Sequence, residues 1–322
     1  MDFEYRGKFW MKEGFRFLDL RTYIETTRER LSKPLQVPPY ATAGEEKRIQ
    51  KLSRRTEKDP YLNRTAINEQ IRQMNQALTE VRGIPYEEHP VLYEVCMFAA
   101  RELMDADPMI FLYTTEEPGL LYNAFAVDHQ DKVWIYVSTQ FFREHGMLSD
   151  GEMCFLVGHE LGHAHCHHST LSVTDSGSSD DEYSADRAGM IACTKWILDR
   201  EPECPPDQAA RRALMCGAAV LKKLTVGSEN GPGNTDWSAF SYEELQMSVD
   251  RAFQGAAFMA LSTGSHPTDP HRVMAMVHFS QSQMLYRCLG LEPGAYRDLL
   301  TDAQLHRAMA SQLTYQDQEE DV

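Results

Sequence analysis

Two histidines four residues apart, His159 and His163, constrain this chain more than any other feature of its sequence. They lie in a predicted helix, because Ser149 and Glu152 have the spacing of a capping box and an apolar periodic pattern follows. Side chains four apart share one face of a helix, so both imidazoles can reach one metal ion. Glu160 lies about 100° further around the helix. It is therefore a candidate general base that touches water on the open side of that ion.

A catalytic zinc site needs a third protein ligand and leaves a fourth position for water. A third histidine in the pattern H-E-x-x-H-x-x-G-x-x-H is excluded, because Cys166 and Ser169 occupy the glycine and histidine positions. The next predicted helix begins near Glu182, 19 residues after His163. We therefore expect Glu182 to be the third ligand of one Zn²⁺ per chain. Asp186, one turn further on, is expected to accept a hydrogen bond from a ligand histidine.

Neighbouring side chains leave other interpretations open. His167 lies four residues after His163, so this pair is an alternative metal face, although without an acidic residue between the two ligands. Cys166 follows His163 by three residues and could approach the metal, but a buried, inert thiol is the commoner role. A surface helix with scattered polar residues is the alternative to any metal site.

Composition excludes several classes of partner. Lys and Arg number 32 against 48 Asp and Glu, and the net charge of −16 disfavours binding to nucleic acid or anionic lipid. Seven cysteines without a C-x-x-C pair indicate reduced thiols. Charges interrupt the N-terminal segment and no run of about 18 apolar residues occurs, so we expect neither a secretion signal nor a membrane span. A cytoplasmic location is expected, and the oligomeric state is left open.

The chain divides into three predicted parts. Residues 1–60 mix both charge signs with a stretch broken by Pro34, Pro38 and Pro39, and they predict an arm with only short helical pieces. Residues 61–311 form the predicted main domain, and residues 312–322 an acidic tail. Helical periodicity dominates the main domain, so the predicted fold class is α+β and mostly helical.

Three short runs rich in β-branched and aromatic residues predict one small antiparallel or mixed sheet. They span residues 109–113, 120–127 and 132–138, and the polar turn 128–131 predicts a hairpin between the last two. The polar stretch 172–181 is expected to end the helix with the histidine pair. Other helices are predicted at about 65–82, 90–105, 182–199, 206–223, 240–261, 270–288 and 297–311.

These elements together resemble the gluzincin metallopeptidases of the HtpX and CAAX prenyl protease type. The resemblance rests on the H-E-x-x-H segment, an E-x-x-A-D element from Glu182 to Asp186, Asn-Ala-Phe-Ala before a strand, and Ser-His-Pro followed by Arg272. They occur in the family's order between residues 123 and 272. Two departures are the lack of the membrane helices of integral members and the replacement of a usual Pro-Gly-Gly turn by residues 127–131.

The resemblance implies a zinc-dependent endopeptidase that acts on a peptide or an unfolded protein. It implies that His266 donates a hydrogen bond to the oxyanion of the tetrahedral intermediate. Arg272 is expected to orient a carboxylate of the site. It also implies an edge strand that pairs with substrate backbone, formed by Asn123, Ala124, Phe125 and Ala126. Structural roles remain the alternatives: core packing for Phe125, and a position beside Pro267 at a helix entry for His266.

Two other functions are compatible with the sequence. A peptide-recognition or scaffold protein that binds zinc without turnover would have the same metal ligands, but it would have no use for Glu160 as a base. A latent peptidase blocked by residues 1–60 or by the acidic tail is the second alternative.

Overall fold

The structure, a computed structural model, describes residues 35–59, 61–117, 120–129, 132–142, 148–174, 179–225, 241–244, 247, 269–296 and 298–313. Within these ranges the protein is mostly helical with one small mixed sheet, which confirms the predicted fold class. None of the helices described is long and apolar enough to cross a membrane. The helices are α1 Ala43–Lys58, α2 Leu62–Ala77, α3 Pro90–Met104, α4 Asp150–His165, α5 His168–Thr174, α6 Ser179–Arg200, α7 Pro206–Thr225, α8 Asp269–Ser280, α9 Gln283–Cys288 and α10 Asp302–Leu313.

The sheet has four strands in the order β1-β2-β4-β3. Strands β2 and β4 are parallel, whereas β1 pairs with β2 and β3 pairs with β4 in antiparallel fashion. The predicted hairpin between β3 and β4 is therefore confirmed. The strands are β1 Leu78–Gly83, β2 Asp107–Thr115, β3 Ala124–His129 and β4 Lys132–Ser138.

Side chains along β4 alternate between the two faces of the sheet, and their surroundings show which face packs against the helices. Val133, Ile135 and Val137 are fully buried in the main core with α3, α4 and α6. On the opposite face, Tyr136 stacks on Phe111 of β2 with ring centroids 4.9 Å apart, in a separate aromatic cluster. One face of the sheet thus supports the helical core, and the second is covered by its own aromatic side chains.

Helices α4 and α6 pack very closely because small residues line their contact. A Cβ atom added at Gly158 would lie 2.6 Å from the Cβ of Ala192, and one added at Gly162 would lie 2.7 Å from the Cβ of Ala188. Real Cβ atoms do not approach so closely, so only glycine permits this distance between the helices. The close contact brings the N-terminal turns of α6 against the histidine face of α4.

Part of the predicted N-terminal arm belongs to the core. Residues 43–58 form the 16-residue helix α1, where the sequence indicated only short helical pieces. Tyr40, Ile49 and Leu52 are each at most 2% exposed and join the main core cluster. The prediction of short pieces was wrong because α1 presents few apolar residues among its charges, and its helical face becomes recognisable only against the core it contacts.

Several predicted boundaries also differ from the structure. The periodic run assigned to residues 65–82 ends at Ala77, and the strand β1 follows it, pairing with a partner some 30 residues away in sequence. The hairpin turn is shorter than predicted, because Asp128 pairs with Val133 and His129 with Lys132. The run from residue 120 enters the sheet only at Ala124.

The C-terminal helices are broken or displaced relative to the predictions. The predicted helix 270–288 is interrupted at residues 281–282, where Ser282 caps α9 through the backbone N–H of Leu285. The last helix starts at Asp302, not at residue 297. The first two residues of the predicted acidic tail, 312–313, belong to the last helix. Most of the predicted helix 240–261 and the rest of the tail lie outside the described residues.

Replacement of Gly158 by Ala tests the close contact between α4 and α6. Alanine raises helix propensity by up to about 1 kcal/mol, but the added methyl overpacks the contact, which typically costs about 1–3 kcal/mol. We expect Gly158→Ala to lower the free energy of unfolding, measured by urea denaturation. Gly294→Ala is the control, because a Cβ there meets no atom within 4 Å. A Gly158→Ala variant that is as stable as the wild-type protein, or more stable, would contradict the overpacking of this helix contact.

Candidate active site

The two histidines of the site come from the middle of α4. The predicted capping box is present: the side chain of Ser149 accepts from the backbone N–H of Glu152, and the Glu152 carboxylate accepts from Ser149 N–H at 2.6 Å. This cap fixes the start of α4 and thereby the face on which His159 and His163 lie. Both are located next to the first turns of α6, which carries Glu182.

Three potential ligand side chains converge between the two helices. The Nε2 atoms of His159 and His163 are 3.1 Å apart. Carboxylate oxygens of Glu182 lie 3.6 Å from Nε2 of His159 and 3.7 Å from Nε2 of His163. A zinc ion with tetrahedral bonds of about 2.0–2.1 Å separates its ligands by roughly 3.3 Å. The spacing of this donor set therefore fits zinc.

The alternative pair His163/His167 does not share a helical face. Helix α4 ends at His165, and His167 adopts the left-handed conformation with φ 58°. The predicted continuation of the helix toward residue 172 was therefore wrong, and a second short helix, α5, begins at His168. Cys166 is fully buried beside Glu45 and His168, in a different group of potential ligands from the one that contains His159.

His159 is held by a buried ion pair. Its Nδ1 atom lies 3.1 Å from Oδ1 of Asp186, which is 1% exposed. Arg272 of α8 donates to both oxygens of Asp186, at 2.6 and 2.9 Å, and its Nη1 lies 3.2 Å from Glu182. Burial would raise the pKa of Asp186, but the charge and hydrogen bonds of Arg272 outweigh it and lower the pKa. Asp186 thus stays an acceptor for the Nδ1–H of His159.

His163 has a different partner on its second nitrogen. Its Nδ1 lies 2.6 Å from Nδ1 of His168, and Nε2 of His168 contacts the carboxylate of Glu45 on α1. Burial lowers the pKa of His163 well below its usual range, so the ring is neutral at neutral pH. Sequence reasoning did not identify Glu45 or assign His168 a role. The available signal was Thr-x-x-Glu at Thr42 to Glu45, which forms a capping box on α1.

Glu160 lies on the same side of α4 as the donor set. Its Oε1 atom is 3.9 Å from Nε2 of His159, and its side chain is 12% exposed. Burial raises the pKa of Glu160 to about 7, and the nearby carboxylate of Glu182 contributes in the same direction. A carboxyl group in this environment can both accept and release a proton near neutral pH.

Strand β3 contains three of the four residues expected to bind substrate backbone. Ala124 and Ala126 are buried, and Phe125 stacks on Tyr113 with ring centroids 5.5 Å apart. Asn123 precedes the strand, and its carbonyl oxygen accepts a hydrogen bond from Ser138 N–H at 3.1 Å. In the sheet as described, β3 is an outer strand, and α4 packs against it. His266 lies outside the described residues, so its predicted role stays a prediction.

Comparison with known proteins relates part of the chain to one protein family. The family model for peptidase family M48 matches residues 68–180. This match relates the chain to peptidase family M48. The matched segment contains His159, Glu160 and His163 and ends just before Glu182. No curated protein and no solved structure matches the chain. The relation to M48 supports a metallopeptidase, a hydrolase with peptide substrates.

Replacement of Arg272 by Met tests the buried ion pair of the site. The variant leaves the carboxylate of Asp186 buried without its cation, and loss of one partner of a buried pair typically costs about 3–5 kcal/mol. We expect a loss of this size in the free energy of unfolding. Arg287→Met is the control, because the pair of Arg287 with Asp302 is 45% and 43% exposed and should contribute about 0–1 kcal/mol. Equal losses of unfolding free energy in Arg272→Met and Arg287→Met would contradict the assignment of Arg272 to a buried ion pair.

Proposed function

We propose that this protein is a zinc-dependent endopeptidase in which His159, His163 and Glu182 hold one Zn²⁺ and Glu160 is the general base. The observation that carries the proposal is the convergence of two ring nitrogens, 3.1 Å apart, on the carboxylate of Glu182, which has one oxygen 3.6 Å from His159 and the other 3.7 Å from His163. The buried carboxyl group of Glu160 lies beside them. When bound, zinc polarises the scissile carbonyl and lowers the pKa of its water toward 7.

The chain's own residues supply the remaining functions. Asp186 accepts the Nδ1–H of His159, which leaves the Nε2 lone pair facing the ligand position. Glu160 accepts the proton of the attacking water on its carboxylate and transfers it to the leaving amine. Arg272 keeps Asp186 ionised and also pairs with Glu182, because its guanidinium lies between the two carboxylates.

For the substrate, we propose an extended peptide that adds to the outer strand β3. Backbone groups at the edge of a sheet can bind a peptide in this way. Among the residues that the structure describes, β3 is an outer strand of the sheet, and it lies against the helix that carries the metal ligands. Ala124 and Ala126 then alternate with Phe125 along the strand. We assign His266 the role of donor to the oxyanion of the tetrahedral intermediate. The proposed location is the cytoplasm, which agrees with the seven free cysteines of the chain.

Metal content tests the ligand set. Purified wild-type protein should contain one zinc per chain, measured by elemental analysis and removable by chelators. His163→Ala should lose most of this zinc, because two ligands hold the ion far more weakly than three. His89→Ala, a histidine that precedes α3, serves as the control and should retain it. Less than about a tenth of an equivalent of transition metal in metal-replete wild-type protein would contradict the site.

Activity of Glu160→Gln tests the general base. Glutamine has nearly the same shape but cannot accept the water proton, so cleavage of casein-like substrates should fall below a few per cent of the wild-type rate. The zinc content should remain unchanged. Glu117→Gln, at an exposed glutamate, is the matched control and should retain full activity. A Glu160→Gln variant with near-normal activity would refute the role of the base, and zinc-loaded wild-type protein without turnover would support a scaffold instead.

A further inference from the structure

We infer that Glu45 and His168 form a positioning relay that fixes the tautomer of His163, so that helix α1 takes part in building the metal site. The inference deepens the proposed function and rests on it. It is carried by a chain of contacts from Glu45 of α1 through His168 of α5 to His163 of α4.

The surroundings of Glu45 determine where the proton of His168 lies. Glu45 is fully buried, and one of its oxygens contacts Nε2 of His168. The other contacts the hydroxyl of Ser184 and lies 3.3 Å from the backbone N–H of Thr42. A carboxylate can only accept hydrogen bonds, so His168 must carry its proton on Nε2. With its single ring proton on Nε2, His168 has a lone pair on Nδ1, and this atom is an acceptor.

The same reasoning fixes the proton of His163. Its Nδ1 atom lies 2.6 Å from the acceptor Nδ1 of His168, so His163 must donate from Nδ1. The lone pair of His163 is therefore on Nε2, the atom 3.7 Å from Glu182. Only a nitrogen with a free lone pair can bind a metal. The tautomer of each histidine ligand thus depends on a carboxylate. Asp186 acts on His159 directly, and Glu45 acts on His163 through the ring of His168.

A break in the helix makes this contact geometrically feasible. On an uninterrupted helix, residues five apart lie about 140° from each other, so His168 would not face His163. The chain leaves the helix after His165, and His167 takes the left-handed conformation before α5 begins. A residue other than glycine in this conformation is uncommon and carries a cost in free energy. Here the turn places the ring of His168 against His163.

The same cluster could be considered a second metal site, because potential ligand atoms of Glu45, Cys166 and His168 lie within 4.8 Å of one another. The contacts favour hydrogen bonds. Nε2 of His168 touches the carboxylate of Glu45 directly, which leaves no room for an ion between them. The second carboxylate oxygen is occupied by Ser184 and Thr42. A metal ion bound to Glu45 would have to displace His168, Ser184 and the backbone N–H of Thr42 from its carboxylate.

Zinc affinity of the full-length chain, measured by competition with a chelator, tests the relay. His168→Phe keeps an aromatic ring but removes the acceptor, and we expect zinc affinity to fall about 10–100-fold, as for other residues that orient a metal ligand. His168→Gln can accept from His163 and donate to Glu45, so it should recover part of the affinity. The visible absorption of bound Co²⁺ should change in His168→Phe and return toward wild type in His168→Gln.

Ser282→Ala is the matched control for stability. It removes the side-chain oxygen that caps α9 through the N–H of Leu285 and leaves Glu45, His168 and their contacts unchanged. We expect a lower melting temperature with unchanged zinc affinity. If His168→Phe does not fold, Glu45→Met decides, because it removes the acceptor for the Nε2–H of His168 and should lower zinc affinity about tenfold.

Three outcomes would overturn the relay. Folded His168→Phe or Glu45→Met protein with wild-type zinc affinity would show that the contact does not orient His163. An equal loss of zinc affinity in Ser282→Ala would show that the effect is one of general destabilisation. Two metal ions per wild-type chain, one of them lost on His168→Phe, would identify a second metal site instead. Wild-type protein that binds no zinc would refute the proposed function itself, and so the two failures are distinguishable.

Discussion

The close contact between α4 and α6 is the constraint on which the site depends. Because Gly158 and Gly162 carry no side chain, the backbone of α4 approaches Ala188 and Ala192 of α6 at distances that any larger residue would prevent. Glu182 and Asp186 lie on the same helix, before these alanines, and are thereby brought against His159 and His163. A wider separation of the helices would leave two histidines without the carboxylates that they need.

The charges of the site explain why its geometry suits a cation. Glu160, Glu182 and Asp186 are all largely buried, and Arg272 lies between the last two. Burial of several carboxylates is costly unless cations compensate them. One guanidinium does not balance three carboxylates. Burial is the main cause of the raised pKa of Glu160, and the charges of Glu182 and Asp186 add to it. A divalent ion held by His159, His163 and Glu182 would remove this imbalance.

Helix α1 changes the interpretation of the N-terminal segment. Its described part contributes apolar residues to the core and places the fully buried Glu45 within the network around His163. Such a segment is unlike a removable plug, because its deletion would take away both packing and a carboxylate of the site. A plugging role is thus left to residues outside this helix.

The sequence alone determined the elements that local chemistry encodes. The capping box of Ser149 and Glu152, the four-residue spacing of His159 and His163, and the pairing of β3 with β4 are all local, and the structure contains each of them. Glu182 also followed from the sequence, since a third ligand was required and a helix start was nearby; the structure brings it to the histidines, while its role as a ligand stays a prediction.

Tertiary structure alone decided the features that depend on distant segments. Strand β1 exists because β2 pairs with it, although its own residues continue a helical pattern. Glu45 resembles one more charge on a solvated helix until α1 packs and the side chain is enclosed by His168 and Ser184. These contacts join residues more than a hundred positions apart. No periodicity or spacing can reveal them, because the free energy that fixes them is that of burial and hydrogen bonding in the folded chain.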